Sequence, residues 1–167
     1  MGHLENKLEW CLRKAKKEGE KHRGLKEVKP DEEKANKHIA KAEHNFKAIT
    51  HFKKTGYSDW SLAAGFYCIY HCFLAIALKF WYESRNQTCT IALMEYLKEE
   101  NKIDIDNKFI DMFRYKEDQS DKGEYSLIEL REDYTYGSKT SIDNEVIKEL
   151  MDECKKLIEE TKTIIHS

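Results

Sequence analysis

Residues 59–90 read DWSLAAGFYCIYHCFLAIALKFWYESRNQTCT. From Trp60 to Leu78 the stretch carries no formal charge, a length that meets the lower bound for crossing a membrane. Ser61, Gly65, Tyr67, Tyr70 and His71 interrupt it with small or polar groups, and the segments on both sides are strongly charged. The reading that fits both facts is a helix running to about Tyr82, buried on most sides by its neighbours, with no membrane span. Ala63, Ala64, Gly65 and Ala75 predict close approach of neighbouring helices, and Phe66, Tyr67, Tyr70, Phe73, Phe80 and Trp81 predict the aromatic filling between them. Tyr67, Tyr70 and His71 each carry a polar end that needs a partner if buried. The run stops at Glu83-Ser84-Arg85-Asn86-Gln87, the one cluster that looks built to meet a ligand.

Toward the N-terminus, Pro30 followed by Asp31, Glu32 and Glu33 marks a helix start, because proline tolerates the first turn and acids suit the positive end of the dipole. Ile39, Ala42, Phe46 and Ile49 then mark one face, and Gly56 ends the helix. His38, His44 and His51 lie along it at spacings of six and seven, read as surface or boundary histidines. Ser58 or Asp59 is the expected cap of the next helix. Before Pro30, residues 3–18 repeat Leu4, Leu8 and Cys11/Leu12 at helix spacing, with Trp10 nearby. Arg13, Lys14, Lys16 and Lys17 make a basic stretch that reads as a phosphate-facing strip or, more commonly, a solvated face. Gly19 and Gly24 bracket a break. Residues 1–29 form an N-terminal helical extension and residues 30–167 the core bundle.

Toward the C-terminus, a short helix is expected around Thr88 to Glu100 and another over Asn107 to Arg114. Residues 117–126 (EDQSDKGEYS), with Gly123, read as an exposed loop. Residues 127–136 (LIELREDYTY) are ambiguous and read as extended or irregular. Thr140 or Ser141 caps a final helix bearing Ile142, Val146, Leu150, Cys154, Leu157 and Ile164/Ile165. The fold class expected is all-α: one domain, an antiparallel up-and-down bundle of four to five main helices plus the N-terminal helix.

Composition bounds what such a bundle can do. At 167 residues the chain can bury a real core, and one proline and seven glycines favour long helices. Charged residues make up 36%, nearly balanced at a formal −2, so any basic surface must be local. Cys11, Cys68, Cys72, Cys89 and Cys154 are an odd set without paired spacing. With a polar, basic N-terminus, the expectation is reduced buried thiols and a cytoplasmic setting. Cys68, His71 and Cys72 share one helical turn, but no second ligand pair sits at recognisable spacing, so neither a metal nor a cofactor is expected.

The order KAEHNFKAI (41–49), GYSDWSLAAGFYCIYHCFLAIAL (56–78), ESRNQ (83–87) and LREDYTYG (130–137) before a last amphipathic helix resembles the HEPN superfamily. The resemblance covers roughly residues 30–166. It implies a helical bundle that pairs as a homodimer and meets a nucleotide or RNA in a cleft. Active members are metal-independent ribonucleases, some toxins partnered by a nucleotidyltransferase antitoxin. Their signature is an arginine followed, after four to six residues, by a histidine. A histidine can take the proton of an RNA 2′-hydroxyl near neutral pH, and an arginine offsets charge on the phosphate. Here Arg85-Asn86 matches the first half. The second half falls on Thr90, Ile91 and Ala92, none of them a base, and Cys89 would serve only as a thiolate. His71, fourteen residues before Arg85, lies about 20 Å away along a continuous helix. The candidate ligand-binding residues are therefore Glu83, Arg85, Asn86 and Gln87, with Tyr67, Tyr70, His71 and Arg131 nearby and Asp133 and Tyr134 at the turn. Arg85 alone would be catalytic in an active form. The expectation leans to binding of a nucleotide, RNA or partner protein, with a ribonuclease or a purely structural dimer as alternatives.

Overall fold

The computed structural model describes residues 2–118 and 126–167. Among them run, in order, α1 (His3–Glu18), β1 (Leu25–Glu27), α2 (Glu32–Lys54), α3 (Ser58–Lys79), β2 (Tyr82–Ser84), α4 (Gln87–Glu99), α5 (Asn107–Asp111), α6 (Leu127–Tyr136) and α7 (Asn144–Ile165). The molecule is mostly helical, as the apolar spacing predicts. The strands were not expected: β1 and β2 form a small antiparallel sheet, pairing Leu25 with Ser84, Lys26 with Glu83 and Glu27 with Tyr82. Three-residue strands leave too short a pattern to read from sequence.

α3 is the spine. It packs along α2, against α7 and α6, and against α4 and β2. It is long and apolar enough to cross a membrane, and 67% of its most apolar stretch is buried inside the fold. Leu62, Phe66, Ile69, Phe73 and Ile76 are almost wholly enclosed. At Gly65 α7 packs tightly against α3: a methyl group there would stand 2.7 Å from Leu150 Cγ. Gly65 thus does what its place in the pattern implied.

The helix ends differ in detail from the sequence reading. Asp31, and not Pro30, opens α2, its carboxylate accepting from Lys34 N at 2.9 Å. Gly56, at φ +86°, turns the chain from α2 to α3. Ser58 does not cap α3; Tyr57 holds that position, and the Ser58 hydroxyl accepts from Ile142 N at 3.1 Å. α3 stops at Lys79 rather than Tyr82, because Trp81 takes φ +75° and swings the chain into β2. Such a backbone costs a non-glycine residue on the order of 1 kcal/mol, and Trp81 O is held by Val28 N at 2.8 Å.

Residues 127–136 are a helix, not an extended segment. Ser126 caps it, and Leu127 and Ile128 are buried at its start, a stripe too short to stand out. α7 begins at Asn144 after Asp143, not at Thr140 or Ser141. Of the segment expected as a loop over 117–126, residues 119–125 lie outside the described residues; Lys116–Asp118 form a 3-10 turn and Ser126 is buried.

The cysteine reading needs one correction. Cys11 of α1 and Cys89 of α4 form a disulfide across a sequence separation of 78. Sequence spacing cannot reveal a pair that distant, since only the docking of α1 on α4 brings it together. Cys68, Cys72 and Cys154 are free and buried, as expected. The Cys68 thiol is pushed up by its hydrogen bond with Cys154 and by burial, which outweigh its bond with Cys72, so it stays protonated.

Candidate functional site

Glu83 is the centre of the site. It sits in β2 opposite Lys26, with its side chain 18% exposed. Lys34 Nζ at the start of α2 donates to Glu83 Oε2 at 2.7 Å, and Arg85 Nη2 to Oε1 at 3.0 Å. His22 Nε2, on a ring that is 1% exposed, reaches Oε1 at 3.2 Å. Partial burial pushes the carboxyl up, but the bonds from Lys34 and His22 and the charges of Lys34 and Arg85 overcome it, leaving it at about 2. One carboxylate thus holds two permanent cations, each about half exposed at 45%.

Arg85 and Asn86 are also bound to the N-terminal segment. Arg85 Nη1 donates to Glu20 O at 2.7 Å and Arg85 N to Gly24 O at 3.0 Å. Asn86 Nδ2 donates to Arg23 O at 3.2 Å, while its Oδ1 accepts from Cys89 N at 3.0 Å as the cap of α4. Gly24 has no room for a side chain, because a Cβ would lie 2.6 Å from Cys11 O and 2.9 Å from Ala15 N. The polar cluster read as a ligand site is therefore, in part, the seam that joins the extension to the core.

Thr90 stands where the arginine–histidine signature would place its base. It is fully buried. Its hydroxyl donates to Asn86 O at 2.8 Å, so its lone pairs face Ser84 Oγ at 2.6 Å and Tyr70 OH at 3.3 Å, which donate to it. Ile91 and Ala92 are buried as well.

A pocket of about 370 Å³ opens beside this network. Lys34, His38, Glu83 and Arg85 line its polar side, and Tyr70, Leu74 and Leu78 its apolar side. His38 Nδ1 meets His71 Nδ1 at 2.9 Å, with the rings stacked at 5.2 Å. Such a bond needs one neutral nitrogen. Burial, aided by Lys41 and by the ring of His38, lowers His71 to about 4; burial and Lys34 lower His38. The helix behind that estimate ends at Lys79, and Trp81 reverses the chain. The chain folds back, so Arg85 and His38, the hydrogen-bonded partner of His71, line one pocket.

The remaining candidates scatter. Tyr67 is 44% exposed on the open face of α3. Gln87 and Arg131 line a larger cavity of about 1100 Å³, with Asn86 and Arg114. Arg131 lies 4.2 Å over the Phe66 ring, and its buried Nε has no hydrogen-bond partner among the described residues. Asp133 is exposed and its carbonyl accepts from Gly137 N; Tyr134 packs on the core near Lys139. Neither joins the pocket. Lys34, His38 and His22 were not on the sequence list. The one legible hint was His38, one of three histidines along α2; Lys34 and His22 acquire meaning only once β1 pairs with β2. Among the described residues, no three His, Cys, Asp or Glu side chains gather as a metal site would require. Set against known proteins, the chain matches no family model and no curated protein.

Proposed function

We propose that the chain is a HEPN-like binding module without ribonuclease activity, whose pocket between Lys34, Glu83 and Arg85 takes a small phosphate-bearing ligand such as a nucleotide. The observation that carries this is the sharing of one carboxylate by two half-exposed cations at the mouth of the pocket. Each cation keeps donors free for an anion, and Arg85 offers them in a planar fork that suits phosphate. Tyr70, Leu74 and Leu78 supply an apolar wall for the rest of the ligand. Buried Thr90 in place of a histidine supports binding over cleavage, since it has no solvent-facing base to offer. The finer topology proposed is the antiparallel up-and-down bundle, supported by the short turn at Gly56.

Calorimetric titration with a nucleoside monophosphate and with inorganic pyrophosphate tests the reading. Binding that falls at least tenfold in Arg85→Ala and in Lys34→Ala is the expected result; binding indifferent to both would refute it. Incubation with labelled RNA in a chelator should leave the RNA intact.

A second reading has its own support. The bonds of Arg85 and Asn86 to Glu20, Arg23 and Gly24 suit a purely structural role, with the open face of α3 around Tyr67 as a homodimer surface. Solution mass separates the two: an Arg85→Ala protein that stays dimeric and loses nucleotide binding favours the first. A nucleotidyltransferase-type partner remains part of the same proposal and would be sought by co-purification.

A further inference from the structure

The outward face of α1 is basic and carries an exposed indole. Residues 7–23 hold seven Lys or Arg against three Glu, a local +4 in a chain that is −2 overall. Trp10, Arg13, Lys14 and Lys17 follow the i, i+3, i+4, i+7 spacing of one helical face. With Glu18 they line a recess of about 550 Å³. Trp10 is 51% exposed, and Lys14 Nζ stands 5.9 Å from its ring centroid. Arg13 and Lys17 make no ion pair among the described residues, and Glu18 is occupied by Lys14 at 3.2 Å and by Arg23 N at 3.2 Å.

The inner face fixes this surface in place. Leu8, Cys11 and Ala15 are buried, the disulfide ties Cys11 to α4, and α1 rests on α4 and β1. The strip is therefore a rigid shelf. Its apolar face is already used, so it has none left to insert into a lipid bilayer, which interfacial helices require. What it offers outward is one large aromatic plane bordered by cations. A base can stack on the ring while neighbouring phosphates meet Arg13, Lys14 and Lys17.

We infer that the Trp10–Arg13–Lys14–Lys17 face of α1 is a docking surface for single-stranded nucleic acid, separate from the pocket at Arg85. An acidic polypeptide would satisfy the cations and leave the indole without a stacking partner.

The test is fluorescence anisotropy of a fluorescein-labelled oligouridylate of about 12 nucleotides. Three phosphate contacts give a salt slope near −2, so affinity should fall roughly 15-fold between 50 and 200 mM salt. Arg13→Glu/Lys17→Glu should abolish binding, while Lys53→Glu/Lys54→Glu, exposed at the end of α2, should reduce it at most about twofold. Trp10→Ala should weaken binding roughly tenfold and Trp10→Phe should restore most of it. In a Trp60→Phe/Trp81→Phe background the oligonucleotide should quench Trp10. Arg85→Ala should reduce the affinity far less than the Arg13/Lys17 reversal, since the two surfaces share no residue. The inference fails if the Arg13/Lys17 reversal has no effect, if Arg85→Ala removes binding, or if Trp10 is not quenched. Equal competition by a polyglutamate peptide, or capture by phosphatidylserine vesicles in preference to the oligonucleotide, would also overturn it. Circular dichroism on each variant separates lost binding from lost fold.

Discussion

The core around α3 and the corner around Glu83 are held by different forces. Around α3 the contacts are apolar and near in pattern: Leu62, Phe66, Ile69, Phe73 and Ile76 repeat along one helix and meet α2 and α7. At the corner they are polar or covalent and join residues far apart in sequence: His22 and Lys34 to Glu83, Glu20 to Arg85, Arg23 to Asn86, Cys11 to Cys89. Burial of apolar surface is tolerant of exchange among similar side chains, whereas a paired charge depends on its partner. The core should therefore resist conservative change and the corner should not.

The largest effect is expected in the core. Phe73→Ala should cost about 4 kcal/mol in urea unfolding, and Phe73→Leu much less. Gly65→Ala should cost about 1–3 kcal/mol, because Leu150 must move. Removing the disulfide as Cys11→Ala/Cys89→Ala should cost about 2–4 kcal/mol by the chain-entropy argument. The loss should appear first as faster hydrogen exchange in residues 3–27, with α3 still protected; uniform exchange across the molecule would erase the distinction between the regions.

Smaller effects follow pH. Glu83 sits at about 2, below its unfolded value, so its contribution is whole above about pH 4.5 and is lost as pH falls toward 2. Glu83→Gln should cost about 1–2 kcal/mol at neutral pH and flatten that acid limb. His71, lowered to about 4, prefers to stay neutral in the fold. Its contribution is whole above about pH 6.5 and is lost as pH falls to 4, a window that lies mostly above that of Glu83. His38→Ala should raise the His71 value, read by NMR titration, because it removes a like charge and opens the site to water. The smallest change in stability is expected of Arg85→Ala, below about 1 kcal/mol for a half-exposed pair.

The same contrast explains what could be read in advance. The face of α2, the burial of α3 and the close packing at Gly65 all arise from local spacing, which the chain displays directly. α6 was missed because ten residues give too few turns of pattern, and β1–β2 because three residues give none. Glu83 and Arg85 were singled out, but their partners were not. His22 and Lys34 reach Glu83 only after Trp81 reverses the chain, and nothing in the spacing announces that turn. The disulfide was hidden for the same reason, and with it goes one of the two grounds for a cytoplasmic setting, since disulfides persist mainly in oxidising compartments.

The bond between Cys11 and Cys89 also decides how the molecule would bear mechanical load. A pull on the two ends of the chain enters at α1, crosses from Cys11 directly to the head of α4, and leaves through α7. Residues 12–88, with α2 and most of the polar corner, lie on a closed covalent loop off that path. Stretched in a force spectrometer, the oxidised protein should lengthen by only the residues outside the loop. Reduction should add the extension of the 78-residue separation, at most about 3.3–3.6 Å for each residue released.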